Sequence, residues 1–290
     1  MKIAVTGATG FLGQYVVRDL LNRPNIEIIA VSHKAARSLI WGERVTHIQL
    51  DLSLPGIDFL GAIGSPDVVI HLAWLGLPNY SSSHHFETHL SEQYRFLSNM
   101  VKAGLPKLVC AGTCLEYGLQ SGELNENMLT NPNTAYGFAK DALRRQLQLL
   151  QAAHHFELSW ARLFYMFGEG QSETSLYSQL LIAKNRGDLN FNMSYGEQLR
   201  DYLPVSKVAE YISQLACDVP GQDVINVCSG NPISIRSLVE GWVLKNKMNI
   251  KLNLGHYPYV DYEPMAFWGS NSRLLATLSH SLMLGECSES

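Results

Sequence analysis

Short apolar runs alternate with amphipathic stretches through the first 165 residues of the chain. An apolar run of this length is typical of a strand buried on both faces of a parallel sheet. Strands are predicted at residues 2–6, 26–31, 45–50, 67–74, 107–112 and 158–163. Apolar positions three and four residues apart predict helices at residues 14–21, 84–103 and 134–153. Strands that alternate with helices predict an α/β fold with a Rossmann-like, doubly wound parallel sheet.

The alternation weakens after residue 165. Helices are predicted there at residues 176–186, 205–216, 234–245 and 271–278. Short strands are predicted at residues 189–193, 198–203 and 224–228, and within residues 252–262. Short segments of mixed type predict a smaller C-terminal α/β lobe and not a second independent domain.

A glycine turn follows the first predicted strand. Gly7 permits a tight turn, Gly10 lets the backbone approach a phosphate, and Gly13 lets the next helix pack on the strand. The N-terminus of that helix offers unpaired N–H groups to an anion. The motif predicts a dinucleotide site; the alternative is a tight turn that holds no ligand. We expect an NAD(P)-binding domain at residues 1–165, to which segments around 200–230 return, and mainly a substrate-binding lobe at residues 166–290.

The end of the second predicted strand bears on the choice of cofactor. An acid here usually holds the ribose 2′-hydroxyl of NAD, but the chain reads Ser32-His33-Lys34, with Arg37 close behind. Cations suit a 2′-phosphate, so NADP(H) is preferred and NAD(H) stays possible; the alternative is that these cations only solvate a loop. Asp51, after the third strand, is expected to accept from the adenine amino group.

Composition limits the partners of the protein. The net charge of −4 provides no basic field for nucleic acid, and no apolar run is long enough to span a membrane. The cysteines are odd in number and show no metal or disulfide spacing, and no signal pattern begins the chain, so we expect a cytoplasmic protein. These cysteines are Cys110, Cys114, Cys217, Cys228 and Cys287.

Three histidines, His84, His85 and His89, cluster at the start of a predicted helix. A metal site would need further ligands beside them. We therefore expect solvated histidines and no metal.

The predicted chemistry depends on a tyrosine and a lysine on one helix. Tyr136 and Lys140 are four residues apart and therefore neighbours on one helical face. The lysine cation, with the positive charge of an oxidised nicotinamide, favours the phenolate and moves the phenol pKa toward the useful range. Tyr136 then protonates a carbonyl oxygen as hydride reaches its carbon, and Thr113 hydrogen-bonds the same oxygen. The alternative is an ordinary amphipathic pair beside a capping threonine.

Together, three motifs resemble those of the extended short-chain dehydrogenases/reductases. They are Gly7-x-x-Gly10-x-x-Gly13, Thr113 four residues before Tyr117-Gly118, and Tyr136-x-x-x-Lys140. The resemblance covers essentially the whole chain and implies a nucleotide-diphosphate sugar substrate. It also implies a homodimer that forms through the two helices at residues 84–103 and 134–153. Arg200, in the stretch Arg200 to Val205, is expected at the substrate diphosphate or ribose.

Departures from the family pattern reduce the number of possible reactions. The acid and base of the dehydratases are replaced by Cys114 and Leu115, so loss of water is not expected. Glu116 would need a different backbone placement to substitute for them. Its expected role is a hydrogen bond to a sugar hydroxyl, and the alternative is a structural role at the end of the strand. Tyr165 and His89 stand where the family commonly has asparagine, which implies a sugar pocket unlike that of the 4-epimerases.

The stretches from His71 to Tyr80 and from Gly112 to Gly118 are most similar to those of bacterial dTDP-4-dehydro-6-deoxyhexose 4-reductases, which serve surface polysaccharide (O-antigen) synthesis. The resemblance implies NADPH-dependent reduction of a 4-keto-6-deoxy nucleotide sugar. Two alternatives remain: a 4-epimerase with tightly bound NAD, and a non-catalytic NADP-binding redox sensor.

The predicted site residues fall into three groups. The catalytic residues are Thr113, Tyr136 and Lys140. The cofactor contacts are Gly7, Gly10, Phe11, Leu12, Gly13, Ser32, His33, Lys34, Arg37, Asp51, Leu52, Leu72, Ala73, Trp74, Tyr136, Lys140 and Leu163. The substrate contacts are Trp74, Tyr80, Thr113, Glu116, Tyr165 and Arg200.

Overall fold

The computed structural model describes residues 1–33 and 41–287, with side chains described as far as residue 280. Its strands are β1 (Lys2–Thr6), β2 (Glu27–Ser32), β3 (Val45–Gln49), β4 (Val68–His71), β5 (Lys107–Thr113), β6 (Gly122–Leu124), β7 (Glu157–Leu163), β8 (Tyr165–Phe167), β9 (Asn190–Asn192), β10 (Leu199–Pro204), β11 (Asp223–Val227), β12 (Pro232–Ser234), β13 (Lys251–Asn253) and β14 (Phe267–Gly269). Its α-helices are α1 (Phe11–Leu21), α2 (Phe59–Ala62), α3 (Leu90–Lys102), α4 (Ala135–Gln151), α5 (Leu176–Arg186), α6 (Val205–Cys217), α7 (Ile235–Lys245) and α8 (Ser272–Cys287).

The main sheet has seven strands in the order β11-β7-β5-β4-β1-β2-β3. Every neighbouring pair in it is parallel. The chain runs outward from β1 to β3 and then returns to the other side of β1 with β4. This reversal opens a crevice at the carboxyl ends of β1 and β4, where sheets of this kind bind ligands. The predicted Rossmann-like α/β fold is confirmed.

Two helical layers cover the sheet. On one face, α1 and α6 bury Val16, Leu20, Val208 and Ile212 against the apolar side chains of the strands. On the other face, α2, α3 and α4 bury a second set of apolar side chains: Phe59, Phe96, Leu97, Met100, Leu143 and Leu147. Each such side chain stabilises the fold by roughly 1.5–3 kcal/mol relative to exposure, and together they hold the sheet edge that forms the crevice.

A smaller lobe sits beside the carboxyl edge of the sheet. Its strands form the sheets β12-β10-β8, β13-β9 and β14-β6, and α5 and α7 bury Leu180, Val239 and Trp242 between them. α6 and β11 pack with the main sheet, and so does Leu274 of α8. The division at residue 165 stays a prediction.

Several short elements differ from the sequence expectation. The predicted strands at 189–193 and 198–203 are present as β9 and β10: β9 pairs with β13, and β10 lies between β8 and β12. The three-residue strands β6 and β14 are not among the predicted strands, because neither carries a clear periodicity of its own. The helix predicted from residue 84 begins with a π-helical turn, His85–His89, before α3.

Candidate active site

The glycine turn between β1 and α1 forms the centre of the crevice. Gly7 has a φ of +69°, and a Cβ there would lie 2.8 Å from the backbone nitrogen of Ala73. A Cβ on Gly13 would lie only 2.2 Å from the carbonyl oxygen of Gly7. The turn therefore brings α1 and the segment directly after β4 to a distance that only glycine permits. Gly10 caps α1 without a side-chain hydrogen bond, so the N-terminus of the helix suits a pyrophosphate.

A cavity of about 460 Å³ extends from this turn across the ends of β2 and β3. Ser32 and His33 line it at the end of β2, and Asp51 lines it beyond β3. His33 Nδ1 lies 3.8 Å from an Asp51 carboxylate oxygen, while the Ser32 hydroxyl lies 2.8 Å from His47 Nε2. Hydrogen bonds from the Ser53 hydroxyl and N–H lower the pKa of Asp51. The other predicted cofactor contacts on this cavity are Gly7, Gly10, Leu52, Leu72, Ala73 and Trp74.

Lys34 and Arg37, on which the expected cofactor preference depends, lie outside the described residues. At the end of β2 itself, within the described part, the side chains are those of Ser32 and His33 and not a carboxylate.

A second cavity of about 450 Å³ extends from the same turn toward the smaller lobe. The three predicted catalytic residues, Thr113, Tyr136 and Lys140, all line it. The predicted contacts that line it are Gly7, Gly10, Phe11, Leu12, Gly13, Leu72, Trp74, Tyr80, Leu163 and Tyr165. The structure therefore places the predicted catalytic residues beside the glycine turn.

Helix α4 presents the tyrosine and the lysine from its first turns. Thr134 caps the helix, its hydroxyl accepting from the N–H of Gly137 at 3.1 Å. The N–H of Tyr136 donates to the carbonyl of Tyr80 at 3.0 Å, which ties α4 to the loop after β4. Lys140 Nζ donates to the carbonyl of Ala111 at 2.8 Å. These bonds fix both side chains at the end of β5.

Burial dominates the electrostatics of this pair. Burial raises the pKa of Tyr136, with smaller contributions from Tyr80, Glu116 and Cys114. Burial lowers the pKa of Lys140 to about 8. The lowered tyrosine pKa expected from the sequence is therefore not found in the protein alone, because desolvation disfavours the phenolate. Tyr136 is held as the protonated phenol, the form that donates a proton.

Trp74 connects the lysine to a buried histidine. Lys140 Nζ lies 4.1 Å from the Trp74 ring centroid, within the range of a cation–π interaction. Trp74 Nε1 donates to His85 Nδ1 at 3.1 Å, and His85 Nε2 lies 2.8 Å from the carbonyl of Asn79. A carbonyl only accepts, so these partners assign the proton of the imidazole to Nε2.

The expectation of solvated histidines is wrong for two of the three. His84 is exposed, but His85 and His89 are buried, at 1% and 4% exposure. The π-helical turn places them under the loop after β4 and beside Trp74. The described residues contain no group of three or more His, Cys, Asp or Glu side chains that could hold a metal ion.

Glu116 lies behind Thr113 and is not among the residues that line the second cavity. It is fully buried, and its carboxylate accepts from the N–H of Thr113 at 2.9 Å, from Trp160 Nε1 at 2.9 Å and from Arg162 Nε at 2.7 Å. The Thr113 hydroxyl accepts from the N–H of Leu115 at 3.3 Å, which completes a capping box. In this arrangement Glu116 holds the backbone of Thr113.

Arg200 is also committed to partners within the protein. Its Nη2 and Nε donate to one carboxylate oxygen of Glu263 at 2.9 and 3.2 Å, and its Nη1 donates to the carbonyls of Leu199 and Met265 at 2.8 and 3.3 Å. Glu263 itself lines the second cavity and accepts a hydrogen bond from Tyr165. The role expected for Arg200 at a diphosphate stays a prediction.

Sequence reasoning missed Glu263. It lies in an irregular segment between β13 and β14, where the pattern of apolar positions carries no signal. Cys114, Leu115, Phe164 and Met166 also line the cavity without having been predicted. Their positions directly after predicted strands were the available signal, because the carboxyl ends of parallel strands form the crevice.

No helix in residues 1–33 and 41–287 combines the length and apolarity needed to cross a membrane.

Two known proteins are similar to this chain in sequence. A relative from Aggregatibacter actinomycetemcomitans, dTDP-6-deoxy-L-talose 4-dehydrogenase (NAD(+)), is 28% identical over 273 residues, covering 93% of this chain and 100% of its own. The Escherichia coli dTDP-4-dehydro-6-deoxyglucose reductase is 22% identical over 270 residues, 87% of this chain and 84% of its own.

A solved structure shares the fold. The UDP-glucuronic acid 4-epimerase from Bacillus cereus, in complex with UDP-glucuronic acid and NAD, matches with a TM-score of 0.80 and 21% identity over 96% of this chain and 93% of its own. Residues 3–228 match the family model described as the NAD dependent epimerase/dehydratase family. This match confirms the family resemblance read from the motifs: the chain belongs to the NAD dependent epimerase/dehydratase family.

Proposed function

We propose that the protein catalyses hydride transfer at C4 of a nucleotide-diphosphate 6-deoxyhexose, and that it works as the reductase of the 4-keto sugar. The observation that carries the proposal is the convergence of Thr113, Tyr136 and Lys140 on one cavity that begins at the glycine turn. The names of the two sequence relatives support C4 of a dTDP-6-deoxy sugar as the reacting position.

The dinucleotide supplies the hydride when it is bound. Tyr136 is held as the neutral phenol and donates its proton to the C4 oxygen as the carbonyl becomes an alcohol. Lys140, a turn further along α4, offers a positive charge that favours the resulting phenolate. The Thr113 hydroxyl lines the same cavity and orients the carbonyl oxygen. Leu115 has no proton to exchange, so no dehydration step is proposed.

For the cofactor we propose NADP(H) in preference to NAD(H). The support is the Ser32-His33 end of β2, which offers no carboxylate for a ribose 2′-hydroxyl, and the cations Lys34 and Arg37 in the sequence. The NAD(+) in the name of the Aggregatibacter relative weighs against this preference. A comparison of kcat/KM for NADPH and for NADH decides which dinucleotide the protein prefers. Replacing Lys34 and Arg37 by alanine is expected to weaken NADPH use alone.

A 4-epimerase is the second candidate, because the Bacillus cereus neighbour with the same fold is named as one. An epimerase must keep its dinucleotide between two half-reactions. The purified protein would then release NAD on denaturation, which absorbance and mass spectrometry detect. A reductase exchanges its cofactor and is expected to release little.

For the assembly and setting we propose a cytoplasmic homodimer that serves surface polysaccharide synthesis. Phe86, beside α3, and Phe138, on α4, expose 41% and 51% of their surfaces and contact each other edge to face. A second copy of the chain would cover them. Light scattering tests this, because Phe138→Glu is expected to yield a monomer.

The decisive assay incubates the protein with dTDP-4-keto-6-deoxyglucose and either reduced dinucleotide. Loss of nicotinamide absorbance and a new C4 proton in the product NMR spectrum are expected. No oxidation of either dinucleotide, with this substrate or its UDP and GDP counterparts, would refute the reductase.

A further inference from the structure

One acidic side chain reaches the second cavity from the smaller lobe. Glu263 lines that cavity together with Tyr136 and Lys140. Among the described residues that line it, Glu263 is the sole carboxylate, and most of the others are aromatic, aliphatic or glycine. Its side chain is 12% exposed, whereas that of its partner Arg200 is 3% exposed. A ligand in the cavity therefore meets the carboxylate before it meets the guanidinium.

The hydrogen bonds of Glu263 leave it able to accept more. A carboxylate has about four acceptor positions. Arg200 occupies two of them through Nη2 and Nε, both on Oε2, and the Tyr165 hydroxyl occupies one on Oε1. The remaining acceptor position of the carboxylate requires a hydrogen-bond donor, and a sugar ring supplies donors as hydroxyl groups.

The segment that carries Glu263 is anchored on both sides. The carbonyl of Tyr262 accepts from Asn133 Nδ2 at 3.0 Å, and the carbonyl of Met265 accepts from the N–H of Leu199 at 2.9 Å. Arg200 reinforces the second anchor through its bond to the same Met265 carbonyl. The carboxylate is therefore held in place before any ligand arrives, as selective recognition requires.

We propose that Glu263 is a specificity-determining residue that accepts a hydrogen bond from a ring hydroxyl of the hexose, at C2 or C3. The inference rests on the proposed function, which places the hexose in this cavity with C4 at Tyr136. Arg200 then acts as the positioning residue for the carboxylate. The cavity selects sugars that retain this hydroxyl, because without it the remaining acceptor position of the carboxylate is desolvated and has no donor.

The test measures binding without turnover. Calorimetry without dinucleotide gives the Kd of dTDP-6-deoxy-L-talose and of its 2-deoxy and 3-deoxy analogues. One analogue is expected to bind the wild type roughly 10- to 100-fold more weakly, as for loss of a hydrogen bond to a charged group. Glu263→Ala is expected to bring this ratio close to one, and Glu263→Gln to an intermediate value. Tyr165→Phe keeps the carboxylate and is expected to keep the discrimination.

Glu240→Gln is the matched control, because Glu240 is exposed and its ion-pair partner among the described residues is Arg236 on helix α7. It should leave every Kd unchanged. Should Glu263→Ala fail to fold, the Gln variant carries the test. An unchanged ratio in a folded Glu263 variant, or no discrimination by the wild type, would overturn the inference. A wild type that discriminates but turns over no 4-keto sugar with dinucleotide would overturn the proposed function alone.

Discussion

Replacing Gly13 by alanine tests the contact that forms the cofactor cleft. The new Cβ would lie 2.2 Å from the carbonyl oxygen of Gly7 and 2.8 Å from Ala8 Cα. Both are backbone atoms, so no flexible side chain can move aside. To restore a normal contact, α1 and the turn must separate by about 1 Å.

The magnitude follows from two opposing effects. Overpacking of a close contact costs about 1–3 kcal/mol, while alanine gains up to about 1 kcal/mol over glycine inside a helix. We expect Gly13→Ala to lower the free energy of unfolding by about 1–2 kcal/mol. The displacement falls on the backbone that faces the pyrophosphate, so the dinucleotide Kd should rise at least about tenfold.

Gly241→Ala is the control for this substitution. Gly241 also lies inside a helix, α7, but among the described residues no atom outside the neighbouring helix backbone lies within 4 Å of a Cβ placed there. The Gly241→Ala variant should have a free energy of unfolding about 0.5–1 kcal/mol higher than the wild type and should bind the dinucleotide with the wild-type Kd. Urea unfolding and fluorescence titration measure both quantities. Wild-type dinucleotide affinity in Gly13→Ala would refute the close-contact account of the cleft.

Three further predictions concern buried titratable side chains. Burial, with a smaller contribution from Lys140, lowers the pKa of His71 from 6.5 to about 3. The neutral form of His71 therefore stabilises the fold above pH 6.5, and this stability is lost as the pH falls toward 3. Urea unfolding should show a free energy of unfolding about 2 kcal/mol lower at pH 5 than at pH 7. An equal loss in His71→Asn would contradict this. Because the pKa of Lys140 is lowered to about 8, the rate of reduction should fall above that pH, and Lys140→Arg, which keeps its charge, should lack this alkaline limb; a flat wild-type profile would argue against a role for the charge. Glu116→Gln should lower the free energy of unfolding by about 3–5 kcal/mol, because it leaves the buried charge of Arg162 without its partner. At a temperature where the variant is folded, KM should be unchanged. A change in KM without a loss of stability would place Glu116 at the substrate instead.

The doubly wound parallel fold of the main sheet followed from the sequence, because short apolar runs that alternate with amphipathic helices have few other solutions. The smaller lobe did not follow in the same way. β8, β12 and β14 are three residues long, and their pairing depends on contacts between segments distant in the chain. β14, for example, pairs with β6 about 145 residues earlier, which no local pattern encodes.

The glycine turn and the proximity of Tyr136 and Lys140 could be predicted, because each depends on spacing over a few residues of the chain. Glu263 and the Trp74–His85 contact could not, since each depends on a loop that folds over the sheet edge. The tyrosine pKa was expected in the wrong direction for a related reason. Spacing shows that Lys140 is near Tyr136, but only the folded cavity shows that desolvation outweighs the charge.

The measurement that tests the central claim most directly is the turnover of Tyr136→Phe. The substitution keeps the ring that packs beside Trp74 and Tyr80 and removes only the hydroxyl. We expect kcat for reduction of the 4-keto sugar to fall by about 10²–10⁴-fold, with the dinucleotide Kd within about twofold of the wild type. Turnover within about tenfold of the wild type would contradict the assignment of Tyr136 as the proton donor.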